Sequence, residues 1–165
     1  MRRSERNLAD PDLGMLTHRV TAALQRALAT ALAGPGGRQI GPRNRAILAC
    51  LDDEGSRAVD VARQSGQHKQ VVGTLVDELE QSGYVRRQLD PADRRAKLIV
   101  PTELGLQQIS RTDAAIALIE REIAASLGDQ HYRDFKQAFR HVADTLSHLQ
   151  LTHSPGDART RTSRS

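Results

Sequence analysis

The stretch Val71-Val72-Gly73-Thr74-Leu75-Val76-Asp77-Glu78-Leu79-Glu80-Gln81-Ser82-Gly83-Tyr84-Val85-Arg86-Arg87 decides the fold. Its first part repeats apolar residues at spacings of three and four. That predicts a helix over about 68 to 82, burying Val71, Val72, Leu75, Val76 and Leu79. Gly83 ends it in the C-cap role. From Tyr84 the period shortens. Tyr84–Leu89 and Ala96–Val100 are strand-like runs, and Asp90-Pro91-Ala92-Asp93-Arg94-Arg95 between them is rich in turn formers. Together they predict a β-hairpin with a longer polar tip.

Two shorter elements precede this unit. A helix starts near Pro42 and carries Ile47, Leu48 and Leu51 as far as Asp52-Asp53-Glu54-Gly55. Another spans about 57 to 65, and Ser65-Gly66 separates it from the helix at 68. Farther out lie long amphipathic helices. The first opens at Asp10-Pro11, with Asp10 as cap, and carries Leu13, Leu16, Val20, Leu24, Leu28 and Ala31 until Gly34-Pro35-Gly36-Gly37 stops it. Beyond the hairpin, Thr102 caps a helix with Ile109, Thr112, Ile116, Ile119, Ile123 and Leu127 on one face. Gly128-Asp129 breaks it, and a last helix over about 130 to 150 carries Phe135, Phe139, Val142, Leu146 and Leu149.

Three helices followed by a hairpin is the layout of a winged helix-turn-helix. The expected fold is mainly α with a small β-hairpin wing and N- and C-terminal dimerisation helices. The DNA-binding lobe takes about 42–100 and the dimerisation helices about 10–33 and 102–151, within one domain over 10–151. The outer stripes are too long for so small a lobe to bury, and a second copy of the chain is the simplest partner. Residues 1–9 read as a flexible start. The tail 152–165 turns to Ser, Thr, Arg, Pro and Gly and reads as disordered.

Composition agrees. Of 165 residues, Ala and Leu supply 40 and aromatics only four, which favours helices over sheets. The longest apolar runs have six residues, against roughly 20 for a membrane span. No apolar stretch follows the charged start, so no signal peptide is read and a cytoplasmic protein is expected. The charge is 24 basic against 20 acidic residues, 21 of the 24 being Arg. That excess is compatible with nucleic acid, and its distribution matters more. A single Cys50 excludes an internal disulfide and any cysteine-rich zinc module. No phosphate loop, His-Glu-x-x-His or Cys-x-x-Cys motif is present, so neither an enzyme nor a cofactor is expected.

Val61-Ala62 before Gly66, the helix from Val71, Glu80 to Arg87, and above all Asp93-Arg94-Arg95-Ala96-Lys97-Leu98-Ile99-Val100-Pro101-Thr102-Glu103-Leu104-Gly105 resemble the MarR family of bacterial transcription regulators. The last stretch resembles the family's wing signature, an Asp-x-Arg tip, a strand and a Thr-x-x-Gly helix start. The resemblance implies a homodimer that binds palindromic operator DNA, often released by a small aromatic or phenolic effector. The chain departs from the family pattern at Ser65 and Gln67 in the turn, His68 at the helix start, Gly73 and Thr74 within the helix, and Pro101 before the wing's Thr.

A helix reads DNA when its first turns present donors and acceptors to base edges in the major groove. The outward set is His68, Lys69, Gln70, Gly73, Thr74 and Asp77, of which His68, Lys69, Gln70 and Thr74 are candidate contacts. The wing adds Arg86, Arg94, Arg95 and Lys97, with Arg87 in the same basic cluster. An Arg at the tip can enter a narrow minor groove, and Asp93 is placed to hold the Arg95 guanidinium through a charge-assisted bond. Arg57, before the third helix, is placed to meet a phosphate. A second reading stays open: a helical dimerisation module that has lost DNA binding, because the recognition helix is acidic in its second half.

Other candidates carry less. Cys50 lies in an apolar run with no adjacent cation, as an inert buried thiol does. His141, Asp144 and His148 share one helical face without a further neutral ligand, so no metal site is assigned. His18, Arg43 and Arg45 lie near the expected effector pocket, but nothing in the sequence selects the ligand-binding residues.

Overall fold

The structure is a computed structural model that describes residues 10–33, 40–93 and 95–152. The expected flexible start over 1–9, the tail from 153, Arg94 and the stop at 34–37 lie outside the described residues. The elements run α1 (Leu13–Leu32), α2 (Pro42–Leu48), β1 (Ser56–Arg57), α3 (Ala58–Ser65), α4 (Lys69–Gln81), β2 (Val85–Leu89), β3 (Lys97–Pro101), α5 (Glu103–Leu127) and α6 (Asp129–Thr152). The fold is mainly helical with a small antiparallel sheet, in the order β1-β3-β2.

One core organises the lobe. Ile47 and Leu48 of α2, Leu51 after it, Val61 of α3, Val72, Leu75, Val76 and Leu79 of α4, and Tyr84, Val85 and Ile99 of the wing form a single buried cluster. Full burial of such a side chain contributes about 1.5–3 kcal/mol. Four of them lie on α4, which makes that helix the best-anchored element. Helices α3 and α4 are each closed at the C-terminal end by the same backbone device. Gly66 (φ 66°) lets Gln67 N–H reach Ala62 O at 3.1 Å, and Gly83 (φ 79°) lets Tyr84 N–H reach Leu79 O at 2.9 Å. Each satisfies a helix-terminal carbonyl and needs the left-handed conformation that glycine adopts without strain.

Three local expectations are corrected. The cap of α1 is Asp12, whose carboxylate accepts Met15 N–H at 2.8 Å, not Asp10. Two acids flank Pro11, and the one that abuts the apolar stripe takes the role. Helix α2 stops at Leu48 because Cys50 and Leu51 N–H turn back to Ile47 O and Leu48 O, three residues behind, which tightens the last turn. Val71 is exposed, lying a quarter turn from the stripe centred on Val72, Leu75, Val76 and Leu79. The α5 stripe is covered within the chain only in part: the buried positions are Gly105, Gln108, Thr112 and Ala115, and Ile123 and Leu127 stay exposed.

The hairpin is joined by a strand that sequence periodicity does not show. Ser56 and Arg57 pair with Ile99 and Leu98, on the other side of β3 from β2, where Arg87 faces Ile99. After β3, Thr102 caps α5 as expected: its Oγ1 accepts Gly105 N–H at 3.2 Å and lies 2.6 Å from Gly83 O, while its own N–H donates to Tyr84 O. This locks the start of α5 onto the end of α4.

Contacts divide the chain into two compact units, Met1–Ile119 and Glu120–Ser165. In the first, Leu28 of α1 is buried, Arg111 donates to Leu32 O, and Arg45 donates to Gln25 Oε1 and Ile40 O. In the second, Lys136 donates to Glu120 at 2.9 Å and Phe135 stacks on Phe139 with ring centroids 5.5 Å apart.

A Cβ on Gly105 would sit 2.1 Å from Tyr84 O, a backbone atom that the Thr102 N–H already holds. Gly105→Ala should therefore destabilise the lobe by about 3 kcal/mol, the upper end for an overpacked site. Urea unfolding measures it, and a variant as stable as the parent would show that α5 can move off the sheet without cost.

Candidate nucleic-acid interface

The burial of Val72, Leu75, Val76 and Leu79 fixes the rotation of α4 and so determines which residues face outward. Gln70, Thr74, Asp77 and Gln81 lie opposite the buried stripe, and all four are exposed. His68 is the N-cap, with extended backbone and no side-chain cap bond. Lys69 follows it in the first turn, at the end of the helix where backbone N–H groups and the helix dipole favour anions. Thr74 Oγ1 donates back to Gln70 O at 3.3 Å. Gly73 has ordinary helical backbone, and a Cβ there would meet nothing within 4 Å. Glycine at such a site costs about 0.5–1 kcal/mol against alanine.

The acidic half of α4 is tied up within the lobe. Arg87 of β2 donates through Nη2 to Asp77 at 2.5 Å and through Nη1 to Glu80, while its backbone N–H donates to Glu80 Oε1 at 3.0 Å. The hydrogen bond to Asp77 leads the effects that hold the Arg87 guanidinium above its ordinary pKa. Asn44 of α2 donates to Glu78 at 3.0 Å. These pairs are partly exposed, and such pairs contribute about 0–1 kcal/mol each. Their larger effect is to set the wing against α4 and to place one guanidinium charge between two carboxylates there. Sequence reading placed Arg87 in a generic basic cluster. The available signal was the strand's period of two, which puts Arg87 on the same face as buried Val85.

At the wing tip the organising residue is Asp90, which is 6% exposed. Its Oδ1 accepts Ala92 N–H at 2.8 Å, and its Oδ2 accepts Arg57 Nε at 2.8 Å and Nη2 at 2.5 Å. Backbone bonds Asp90 N to Ala96 O and Ala96 N to Asp93 O close the loop. Arg57, expected to face a phosphate, therefore spends two of its donors on Asp90, with Asp93 at 3.9 Å. It reaches them because β1 lies beside β3. The expected bond from Asp93 to the Arg95 guanidinium is not the one formed. Asp93 Oδ1 accepts the Arg95 backbone N–H at 3.1 Å, the geometry an Asp offers two residues ahead in a turn.

The remaining wing residues stay outward. Arg86 donates to Gln88 at 2.7 Å on the exposed face of β2. Arg95 and Lys97 are exposed, and among the described residues neither side chain has an ion pair.

The other candidates fall elsewhere. Cys50 packs against the core, and burial pushes its thiol pKa up, away from a reactive thiolate. His141, Asp144 and His148 lie on α6, and among the described residues no group of three or more His, Cys, Asp or Glu could hold a metal ion. Nor, among those residues, is any helix long and apolar enough to cross a membrane. His18 is exposed on α1, beside Arg19, Arg26, Leu16 and Val20 around a shallow depression, and Arg43 is exposed on α2.

A three-helix core that turns one helix outward beside a three-stranded wing defines a winged helix-turn-helix, the class in which a recognition helix enters the major groove. The chain belongs to the MarR family of transcriptional regulators. The MarR family model matches residues 40–96. CouR from Rhodococcus jostii RHA1, solved with p-coumaroyl-CoA, is 31% identical, with 82% of this chain and 94% of that chain covered and a TM-score of 0.67. A MarR-family transcriptional regulator from Rhodococcus sp. RHA1 is 30% identical, with 80% and 92% covered and a TM-score of 0.64. The PcaV transcriptional regulator from Streptomyces coelicolor, solved with its natural ligand, is 25% identical, with 83% and 94% covered and a TM-score of 0.68. No curated protein sequence matches the chain.

The Ala92 N–H, and then Arg57, hold the Asp90 carboxyl below the ordinary carboxylate range. The unfolded chain thus takes up this proton more readily than the folded one. The stabilisation is complete above the ordinary carboxylate pKa of about 4 and is lost as pH falls through the lower folded value. Asp90→Asn should melt lower than the parent at neutral pH, and the gap should shrink as pH drops from about 4 towards about 2. Parallel melting curves for the two proteins over that range would mean that Asp90 does not titrate with folding.

Proposed function

We propose that the protein is a homodimeric repressor that places α4 in the major groove of a palindromic operator, sets its wing against the adjacent backbone or minor groove, and leaves the DNA when a small aromatic or phenolic effector binds. The observation that carries this reading is the Arg87 bridge to Asp77 and Glu80. It turns Asp77 and Glu80 towards the wing strand, offsets one of their two negative charges, and leaves His68, Lys69, Gln70 and Thr74 as the outward start of the helix. The competing reading, a dimerisation module without DNA binding, rests on that acidity, and the engagement of these acids within the lobe counts against it.

The proposed contacts divide by chemistry. Gln70 and Thr74 suit base edges, and Lys69 suits guanine or phosphate. His68 sits at the helix start, and Arg86, Arg94, Arg95 and Lys97 supply the wing's cations. Exposed Val71, missed in the sequence, is an apolar group suited to a thymine methyl. Arg57 and Asp93 act through the wing's shape. For the effector, α1 sets Leu16 and Val20 beside His18, Arg19 and Arg26, a mixture suited to an aromatic ring carrying an anionic group. A relative solved with p-coumaroyl-CoA supports that class of ligand.

A mobility-shift titration with DNA flanking the protein's own gene tests the reading. Arg95→Ala should weaken binding more than Lys69→Ala or Gln70→Ala, and should lower the slope of log affinity against log salt by about 1. Binding by Arg95→Ala equal to wild type, with Gln70→Ala inactive, would move recognition from the wing to the helix. No salt-dependent binding by the wild type would restore the dimerisation-module reading.

Assembly has its own test. Leu13, Leu16 and Val20 of α1, Ile123 and Leu127 of α5, and Phe135, Phe139, Leu146 and Leu149 of α6 are all exposed in the single chain. Monomers rarely expose continuous apolar patches of more than a few hundred Å². Sedimentation equilibrium at micromolar concentration should return twice the chain mass, and a monomer mass would overturn the dimer.

A further inference from the structure

Most described glycines have a reason within the chain. Gly55, Gly66, Gly83 and Gly128 have positive φ, Gly105 is pressed against Tyr84 O, and Gly14 and Gly41 lie at the starts of helices. Gly73 has none of these. It lies within α4, outside the buried stripe, with ordinary helical backbone and open space where a Cβ would point. Its neighbours one turn away are Lys69 and Gln70 on one side and Asp77 on the other. Arg87 holds Asp77 against the wing strand, so the missing side chain leaves a notch in the outward surface beside Lys69 and Gln70.

We infer that Gly73 is a positioning residue for DNA: the notch receives the nucleic acid, and α4 seats closely enough in the major groove that a side chain at 73 would hold it off. Glycine serves wherever backbone must approach a ligand closely, and here a penalty to the helix is retained with no return inside the folded chain. The depth of seating then governs whether Gln70 and Thr74 come within hydrogen-bond reach of base edges. This rests on the reading of α4 as the recognition helix.

The test uses the full-length dimer and a DNA site selected by the wild-type protein from a random-sequence pool. Gly73→Ala should raise the melting temperature by roughly 2–4 °C, as expected for a better helix former in a chain of this size. It should also weaken binding to the selected site by at least about tenfold, the equivalent of one good base contact. Binding to unrelated DNA, held by phosphate charges without deep seating, should change little. Gly73→Ser should behave in the same way. A more stable Gly73→Ala that binds the selected site like wild type would overturn the inference, as would equal losses on selected and unrelated DNA. Failure of the wild type to select any site would instead overturn the recognition-helix reading itself.

Discussion

Four side chains along one edge of α4, Val72, Leu75, Val76 and Leu79, are buried in the lobe's core, and the rest of the surface depends on this. A helix of this length can rotate about its axis only by exposing some of them, at a cost far above that of any surface contact it could gain. The rotation is therefore set by packing. Gln70, Thr74, Asp77 and Gln81 face outward because they are left over, and the Gly83 turn then aims β2 back along the helix.

Charge is distributed on top of that geometry. A linear count makes the second half of α4 look hostile to DNA, with Asp77, Glu78 and Glu80 in close succession. In three dimensions Arg87 meets two of these acids and Asn44 meets the third, so they position the wing and α2. Asp90 plays the corresponding part at the tip, where it draws Arg57 from β1 and the Ala92 N–H into one carboxylate. The cations left outward, Lys69, Arg86, Arg95 and Lys97, lie on α4 and the wing. A DNA-binding regulator needs positive charge where the phosphates run, and the internal ion pairs leave these four cations uncovered.

The outer helices show a different economy. Leu28 of α1 is covered within the chain, whereas Leu13, Leu16 and Val20 are not. On α5 the buried face runs through Gly105, Gln108, Thr112 and Ala115, and the apolar residues beyond it, Ile123 and Leu127, stay exposed. Stripes of this length and periodicity belong to helices that pack against something along their whole length.

The sequence alone determined the element types, the wing, the family resemblance and the amphipathic outer helices, because those properties are written in local periodicity and turn chemistry. Local periodicity said nothing of β1, since two residues show no alternation, and it misjudged Val71 by a quarter turn. It also placed Asp93 against the Arg95 side chain when the backbone N–H was the nearer donor. What tertiary structure decided was pairing between residues distant in the chain: Arg57 with Asp90, Asn44 with Glu78, Arg87 with Asp77 and Glu80, and Gly105 against Tyr84. The physical reason is that a charge's partner, and the space around a glycine, are set by which surfaces the core brings together, and a sequence pattern records only which face of each element turns inward.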